Sequence, residues 1–150
     1  MSLVLGTTYN NIFYENVLQK LKSIIVTDRA CKVYVSPMYK DSGSYAIRLW
    51  GSSSETDLMT ANEWRALYNV EISLYTIGDD GERFYEQLYS DSERLYQLLF
   101  NNKENGASSF PWHDGTVSSV TYDEYTEEEV DIEGLHVARF LFSCRLSRAS

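Results

Sequence analysis

The chain has 150 residues, 43% apolar, 14% aromatic and 23% charged, with 13 basic and 22 acidic side chains. That length fits one domain able to bury a core without staples, hiding roughly 68–70% of its unfolded surface. No apolar run approaches the ~18–20 residues of a membrane span, Met1–Gly6 lacks the basic start of a signal peptide, and two cysteines build no disulfide framework.

The net charge of −9 is unevenly spread. Residues 1–75 are neutral, whereas residues 76–150 carry the whole excess, and seven acids fall within Asp123–Glu133. This argues against nucleic-acid binding as the main task, which needs clustered Lys and Arg. Tyrosine is frequent, at 12 residues. Tyr suits protein interfaces and also simply fills strands.

An arm, residues 1–9, precedes the first element. Asn10–Ile25 predicts a helix, with Ile12, Phe13, Val17, Leu21, Ile24 and Ile25 on one side and Asn10 or Asn11 as cap. The β-branched run Ile24–Thr27 weakens helix propensity. Cys31–Tyr39 predicts a strand that ends or becomes an edge at Pro37. A turn over Lys40–Ser44 leads to a second strand, Tyr45–Trp50. Residues 51–62 are polar and Ser-rich and predict a long loop. Trp64–Ile77 predicts the longest strand. Tyr68, Val70, Ile72 and Leu74 share one face and a solvated set shares the other.

Asp79 and Asp80 precede the main helix, Glu82–Asn101, striped by Phe84, Leu88, Leu95 and Leu99. Asn101–Gly106 suits a left-handed cap. Ala107–Gly115 predicts a loop, Thr116–Tyr125 a fourth strand and Leu135–Leu146 a fifth. The expected fold is α+β: a mainly antiparallel four- to five-stranded sheet with two helices on one face, in the order α-β-β-β-α-β-β.

Chemistry is sparse. His136 and Cys144 lie eight residues apart on one predicted strand, roughly 26 Å at ~3.3 Å per residue, too far for a dyad. No C-x-x-C or H-x-x-x-H spacing offers a zinc site. Asp79 and Asp80 could serve hydrolysis or Mg²⁺, but a helix-start charge pair fits them better. No catalytic residue, metal site or cofactor is expected. Two features remain. Phe110, Trp112 and His113 form an aromatic cluster that either docks a partner or folds over the core edge. Asp123, Glu124, Glu127, Glu128, Glu129, Asp131 and Glu133 predict a solvated acidic hairpin over 123–133. It reads as a soluble loop, as a surface for a basic partner, or as a wall to which DNA does not adhere.

The whole layout resembles the tail terminator proteins of long-tailed bacteriophages, the minor tail protein U-like or tail-completion family. The resemblance rests on the opening helix Ile12–Ile25, the strand end Ile47-Arg-Leu-Trp50, the strand Trp64–Ile77 before helix Phe84–Leu99, and the closing strand His136-Val-Ala-Arg-Phe-Leu-Phe-Ser-Cys-Arg145. It covers nearly the whole chain by pattern and order. Residues 51–62 and the acidic hairpin depart from it. The resemblance implies a non-enzymatic virion protein, made in the host cytoplasm, that forms a hexameric ring at the head-proximal end of the tail. Its partners would be copies of itself, the tail tube protein and a head-completion or connector protein, with DNA only as passing cargo and no membrane. An acidic DNA-mimic or inhibitor protein, and a small hydrolase built on Asp79, Asp80 and Glu82, are the alternatives.

Overall fold

The computed structural model describes residues 11–29, 31–36, 45–60, 63–78, 81–105, 111–124 and 135–149. A wide helical segment, Ile12–Leu18, runs into α1, Gln19–Asp28. The strands are β1 (Lys32–Val35), β2 (Tyr45–Met59), β3 (Glu63–Ile77), β4 (Trp112–Glu124) and β5 (Leu135–Ala149), and α2 spans Glu82–Asn101 between β3 and β4. The sheet order is β1-β2-β3-β5-β4. This is the expected α+β arrangement in the expected order.

β3 is the central strand. It pairs antiparallel with β2 from Tyr45↔Thr76 to Met59↔Trp64, and with β5 from Glu63↔Ala149 to Ile77↔Leu135. Its even-numbered residues Ala66, Tyr68, Val70, Ile72 and Leu74 lie in the core with Ile47, Leu49, Phe140, Phe142 and Cys144. Both helices cover this face. Val17, Leu21 and Ile25 arrive from the first helix, and Leu88, Leu95 and Leu99 from α2, all at most 3% exposed. The i, i+7, i+11 spacing that marks Leu88, Leu95 and Leu99 in the sequence places them on one side of a helix.

Five expectations need correction. The strand pair β1–β2 is parallel, Lys32↔Ala46 to Val35↔Leu49, not a hairpin; hydropathy fixes which residues face the core but not the sense in which two strands run. The first helix runs on to Asp28, because Ile25 packs fully buried and tertiary contact outweighs the weak propensity of the β-branched run. Asn11, as foreseen, caps it, its Oδ1 accepting from the Tyr14 N–H at 3.3 Å. The helix α2 stops at Asn102 without a left-handed residue: Asn102 has φ −110°, and its Nδ2 donates to the Leu98 carbonyl at 2.8 Å. The polar stretch 51–59 is not a loop but the outer half of β2. Finally, one end of the solvated face of β3 is buried too, at Ser73 and Tyr75, beside Arg48, Leu135 and Val137. There the Arg48 guanidinium lies over the Tyr34 ring, 4.6 Å from its centroid. Arm residues 1–9, the turn Lys40–Ser44 and the pair Asp79–Asp80 lie outside the described residues.

Leu95 is fully buried between α2 and the sheet. Leu95→Ala is expected to lower stability by about 2–5 kcal/mol in urea melts; a loss below about 1 kcal/mol would mean the site is not packed as described.

Candidate functional site: the β2–β3 arm and the aromatic and acidic segments

The outer half of β2 forms an arm with the start of β3. Residues 51–60 are all exposed, and Leu58 and Met59 stand 42% and 72% open. A Ser-rich sequence holds this extended shape because its polar side chains bind across the ladder. Ser52 Oγ donates to the Asn69 carbonyl at 3.1 Å, and Asn69 Nδ2 donates to Ser53 Oγ at 2.9 Å. Thr60 closes the turn, its N–H donating to the Glu63 carbonyl at 2.8 Å. At the root of the arm Phe13 stacks edge-on against Tyr68 at 4.8 Å and lies over Gly51, where a Cβ would come 2.4 Å from the ring.

Register shifts between Gly51 and Ser53 and between Thr56 and Leu58 put bulges in the arm. A bulge re-aims a side chain, and the second one carries Asp57. Its carboxylate accepts from Arg65 Nε at 3.0 Å and from Arg145 Nε at 2.8 Å. Arg145 also reaches Asp114 at 3.6 Å. One ion-pair chain thus runs over β2, β3, β5 and β4. The Arg145 hydrogen bond, joined by Arg65, holds the Asp57 carboxyl below its ordinary pKa of 3.8. Nothing in the sequence pairs Asp57 with Arg145, 88 positions away; only the register of three strands does.

A second charged clamp joins the helices. Asp28, at the end of α1, accepts from Arg94 on α2 at 3.1 and 3.2 Å and lies 3.4 Å from Arg29. Arg29 Nη1 donates to Tyr45 Oη at 2.6 Å. Arg94 is the main cause of the lowered Asp28 pKa. The groove beside it, about 460 Å³, is lined by Ser90, Glu93, Gln97 and Asn101 as well as this pair. It is shallow, and no cysteine or histidine lines it beside the Ser90 hydroxyl.

The aromatic cluster divides. Trp112 is fully buried, so it is not a docking residue: its ring packs edge-on to Phe142 at 6.1 Å, Lys20 Nζ lies 5.7 Å above it, and its Nε1 donates to the Asn102 carbonyl at 2.8 Å. The reading of a cluster folded over the core edge holds for this residue. The loop expected over 107–115 is strand from Trp112 onward. His113 is exposed and its Nδ1 lies 2.8 Å from Glu104. Phe110 lies outside the described residues. In the acidic segment Asp123 is exposed near the end of β4, and Glu124 is the last residue of that strand, in register with His136. Glu127, Glu128, Glu129, Asp131 and Glu133 lie outside the described residues.

Nucleophilic chemistry finds no support among the described residues. Burial pushes the Cys144 thiol up to about 12, against the opposing charge of Lys20, so it is protonated at neutral pH and unreactive. Burial also raises Cys31. His136 sits under the start of α2, 4.9 Å from Phe84 and 5.8 Å from Tyr85. Among the described residues no group of three or more His, Cys, Asp or Glu side chains could hold a metal ion, and no helix is long and apolar enough to cross a membrane.

The strap formed by Glu104 and Lys103 shapes the start of β4. Glu104 accepts from the Asp114 N–H at 3.3 Å, and Asp114 adopts φ 56°, a left-handed conformation that Asp tolerates. The Gly115 N–H donates to the Lys103 carbonyl at 2.8 Å. A Cβ at Gly115 would meet Lys103 Cα at 2.9 Å and its carbonyl oxygen at 3.0 Å. Because the obstacle is backbone, Gly115→Ala is expected to cost about 1–3 kcal/mol, read as a lowered midpoint in chemical denaturation.

The depressed carboxylates make stability acid-sensitive in a defined direction. Asp28, Asp57 and Glu104 each have a lowered pKa in the folded state. Their contribution is complete above the unfolded values of 3.8 and 4.5 and is lost as pH falls through the lower folded values. Asp57→Asn is therefore expected to lower the thermal midpoint at neutral pH and to flatten its decline below about pH 4. An unchanged acid limb in thermal melts would remove Asp57 from this account.

No family model matches this sequence, and no curated protein sequence matches it. Solved structures do match. A chain from the virion of a native gene transfer agent (GTA) particle superposes with a TM-score of 0.52 over 90% of this chain and 91% of its own, at 13% identity. A second solved chain, 11% identical, covers 93% of this chain and 96% of its own at a TM-score of 0.48, too loose to carry an argument. The likeness to the virion chain extends over nearly the full length of both molecules, and at that identity it establishes the shared fold.

Proposed function

We propose that this chain is a structural protein of a virion, of the tail terminator type. In this reading it forms a hexameric ring at the head-proximal end of the tail, stops polymerisation of the tail tube and presents a surface to a head-completion or connector protein. The observation that carries the reading is the end-to-end likeness to a chain of the GTA virion. The order of elements that first suggested the tail terminator family supports it, as does the exposed β2–β3 arm beyond the face that two helices cover.

The acidic segment takes its place in the same reading. Glu127, Glu128, Glu129 and Asp131 face the lumen or a basic partner and stay out of subunit contacts. Burying such charges unpaired would cost several kcal/mol per ion, while near ~0.15 M salt water screens them beyond ~8 Å. Arg145 does not neutralise them: it lies at the far end of the β4–β5 ladder, beside His113, and is engaged by Asp57 and Asp114. A lumen lined with carboxylates would repel the phosphates of DNA and let it pass without adsorbing.

Native mass spectrometry and negative-stain images of the purified protein are expected to give six-fold rings, and addition of the protein to polymerising tail tubes should arrest their growth. The variant with Glu127, Glu128 and Glu129 all changed to Gln is expected to retain rings and to form them more readily at low salt. Monomers at every concentration and salt tested would reject the ring; rings lost only in the triple variant would move the acidic segment into the subunit contact.

A further inference from the structure

Among the described residues, the sheet presents an unpaired stretch of backbone edge on each side. β1 pairs with β2 only at Ala46–Leu49, so among the described residues nothing pairs with the outer edge of Trp50–Met59. On the far side β4 is the last strand. Its start is strapped by Asn105, which bonds to Trp112, and by Lys103, which bonds to Gly115. Beyond them, among the described residues, nothing pairs with the outer edge of Thr116–Glu124. An exposed strand edge is a row of unpaired donors and acceptors, and proteins that must stay apart commonly guard it with Lys or Pro. Neither stretch contains a Lys, an Arg or a Pro.

We propose that these two edges meet: Trp50–Met59 of one copy pairs antiparallel with Thr116–Glu124 of the next copy, so that the sheet runs on from subunit to subunit around the ring. The inference rests on the ring reading above and names the faces that build it. Strand direction favours it. β2 runs antiparallel to β3, β3 to β5 and β5 to β4, so β4 runs antiparallel to β2. A neighbour generated by rotation keeps its strand sense, and its β2 therefore arrives beside β4 in the antiparallel sense the rest of the sheet already uses. The two edges differ and lie on opposite sides of the molecule, which is what a head-to-tail contact closing into a ring requires.

The side chains suit the contact. A full overlap sets Ser53, Ser54 and Thr56 opposite Thr121, Val120 and Ser118, and it sets Glu55 opposite Ser119 and Asp123 opposite Gly51, so no like charges face each other directly. Tyr122 and Leu58, each 42% exposed, lie within the paired stretches and gain cover. The bulges in both strands, near Ser52 and Asp57 in β2 and near Asp114 and Ser118 in β4, raise local twist. A sheet that must curve to closure needs such devices. The two open stretches sit toward opposite ends of the sheet, so pairing them inclines the strands to the ring axis, as stagger does in a barrel.

Hydrogen–deuterium exchange of the wild-type protein, compared between dilute monomer and assembled ring, tests this, with native mass spectrometry reporting the ring independently. The outward-facing amides of both 50–59 and 116–124 are expected to slow by about tenfold or more on assembly, since paired edge amides exchange only through local opening. Rings in which either stretch exchanges as fast as in the monomer would overturn the inference and leave the ring standing. Protection of 50–59 already in the monomer would mean that the same chain covers this edge, and would overturn it as well. Absence of rings would overturn both.

Discussion

The two ladders of β3 are the constraint on which the remainder of this molecule depends. The strand is bonded along its whole length on both sides, to β2 and to β5. That double anchorage lets it do two unlike things at once. From Ala66 to Leu74 its even-numbered side chains join the core under the helices, and from Glu63 to Asn69 it also supports an arm whose other strand is wholly exposed. A lone hairpin of this kind is marginal in water. Here it borrows rigidity, because β5 continues beside β3 as far as Ala149.

The ion pairs follow from that anchorage and do not cause it. Exposed pairs contribute little singly, commonly 0–1 kcal/mol. Asp57 can meet Arg145 only because β3 holds β2 and β5 in fixed register and a bulge turns Asp57 across the sheet. The chain from Asp57 through Arg145 to Asp114 then links the arm to β4 across the sheet. The clamp of Asp28 on Arg94 plays the same part between the helices. In both places geometry set by backbone bonding comes first, and charge refines it.

Legibility in the sequence tracked how far a residue's position depends on its neighbours in the chain. The helix α2 was readable to its ends, since a stripe at helical spacing is a local signal and the 20 residues repeat it. The alternation of Tyr68, Val70, Ile72 and Leu74 was readable for the same reason. Residues 51–59 misled because hydropathy marks a strand only where one face meets a core; an exposed strand whose side chains bond across the ladder carries no such mark. The parallel sense of β1 and β2 and the pairing of Asp57 with Arg145 are decided by strand order, which no local pattern encodes. Trp112 shows the converse. As part of an aromatic cluster it offered docking or core, and the choice fell to the core because Asn102, at the end of α2, supplies the carbonyl its indole N–H needs.

The distribution of exposed apolar groups links the fold to assembly. Tyr68 and Tyr75 are buried in the sheet, whereas Tyr89, Tyr96 and Tyr122 stand at least 37% exposed. The tyrosines are therefore divided between the sheet interior and the surface. Tyr89 and Tyr122 meet edge-on at 5.0 Å, so the exposed ring of β4 is braced by α2 and stands in a fixed orientation beside the open strand edge. A rigid aromatic beside an edge that is unpaired among the described residues would lose little conformational freedom on pairing with the proposed partner strand. On the opposite side Leu58 and Met59 cap an arm that the Asp57 network stiffens. In the proposed ring, two dissimilar edges on one small domain would make association directional: a subunit added at one edge would leave the same kind of edge open for the next, until the rotation closes.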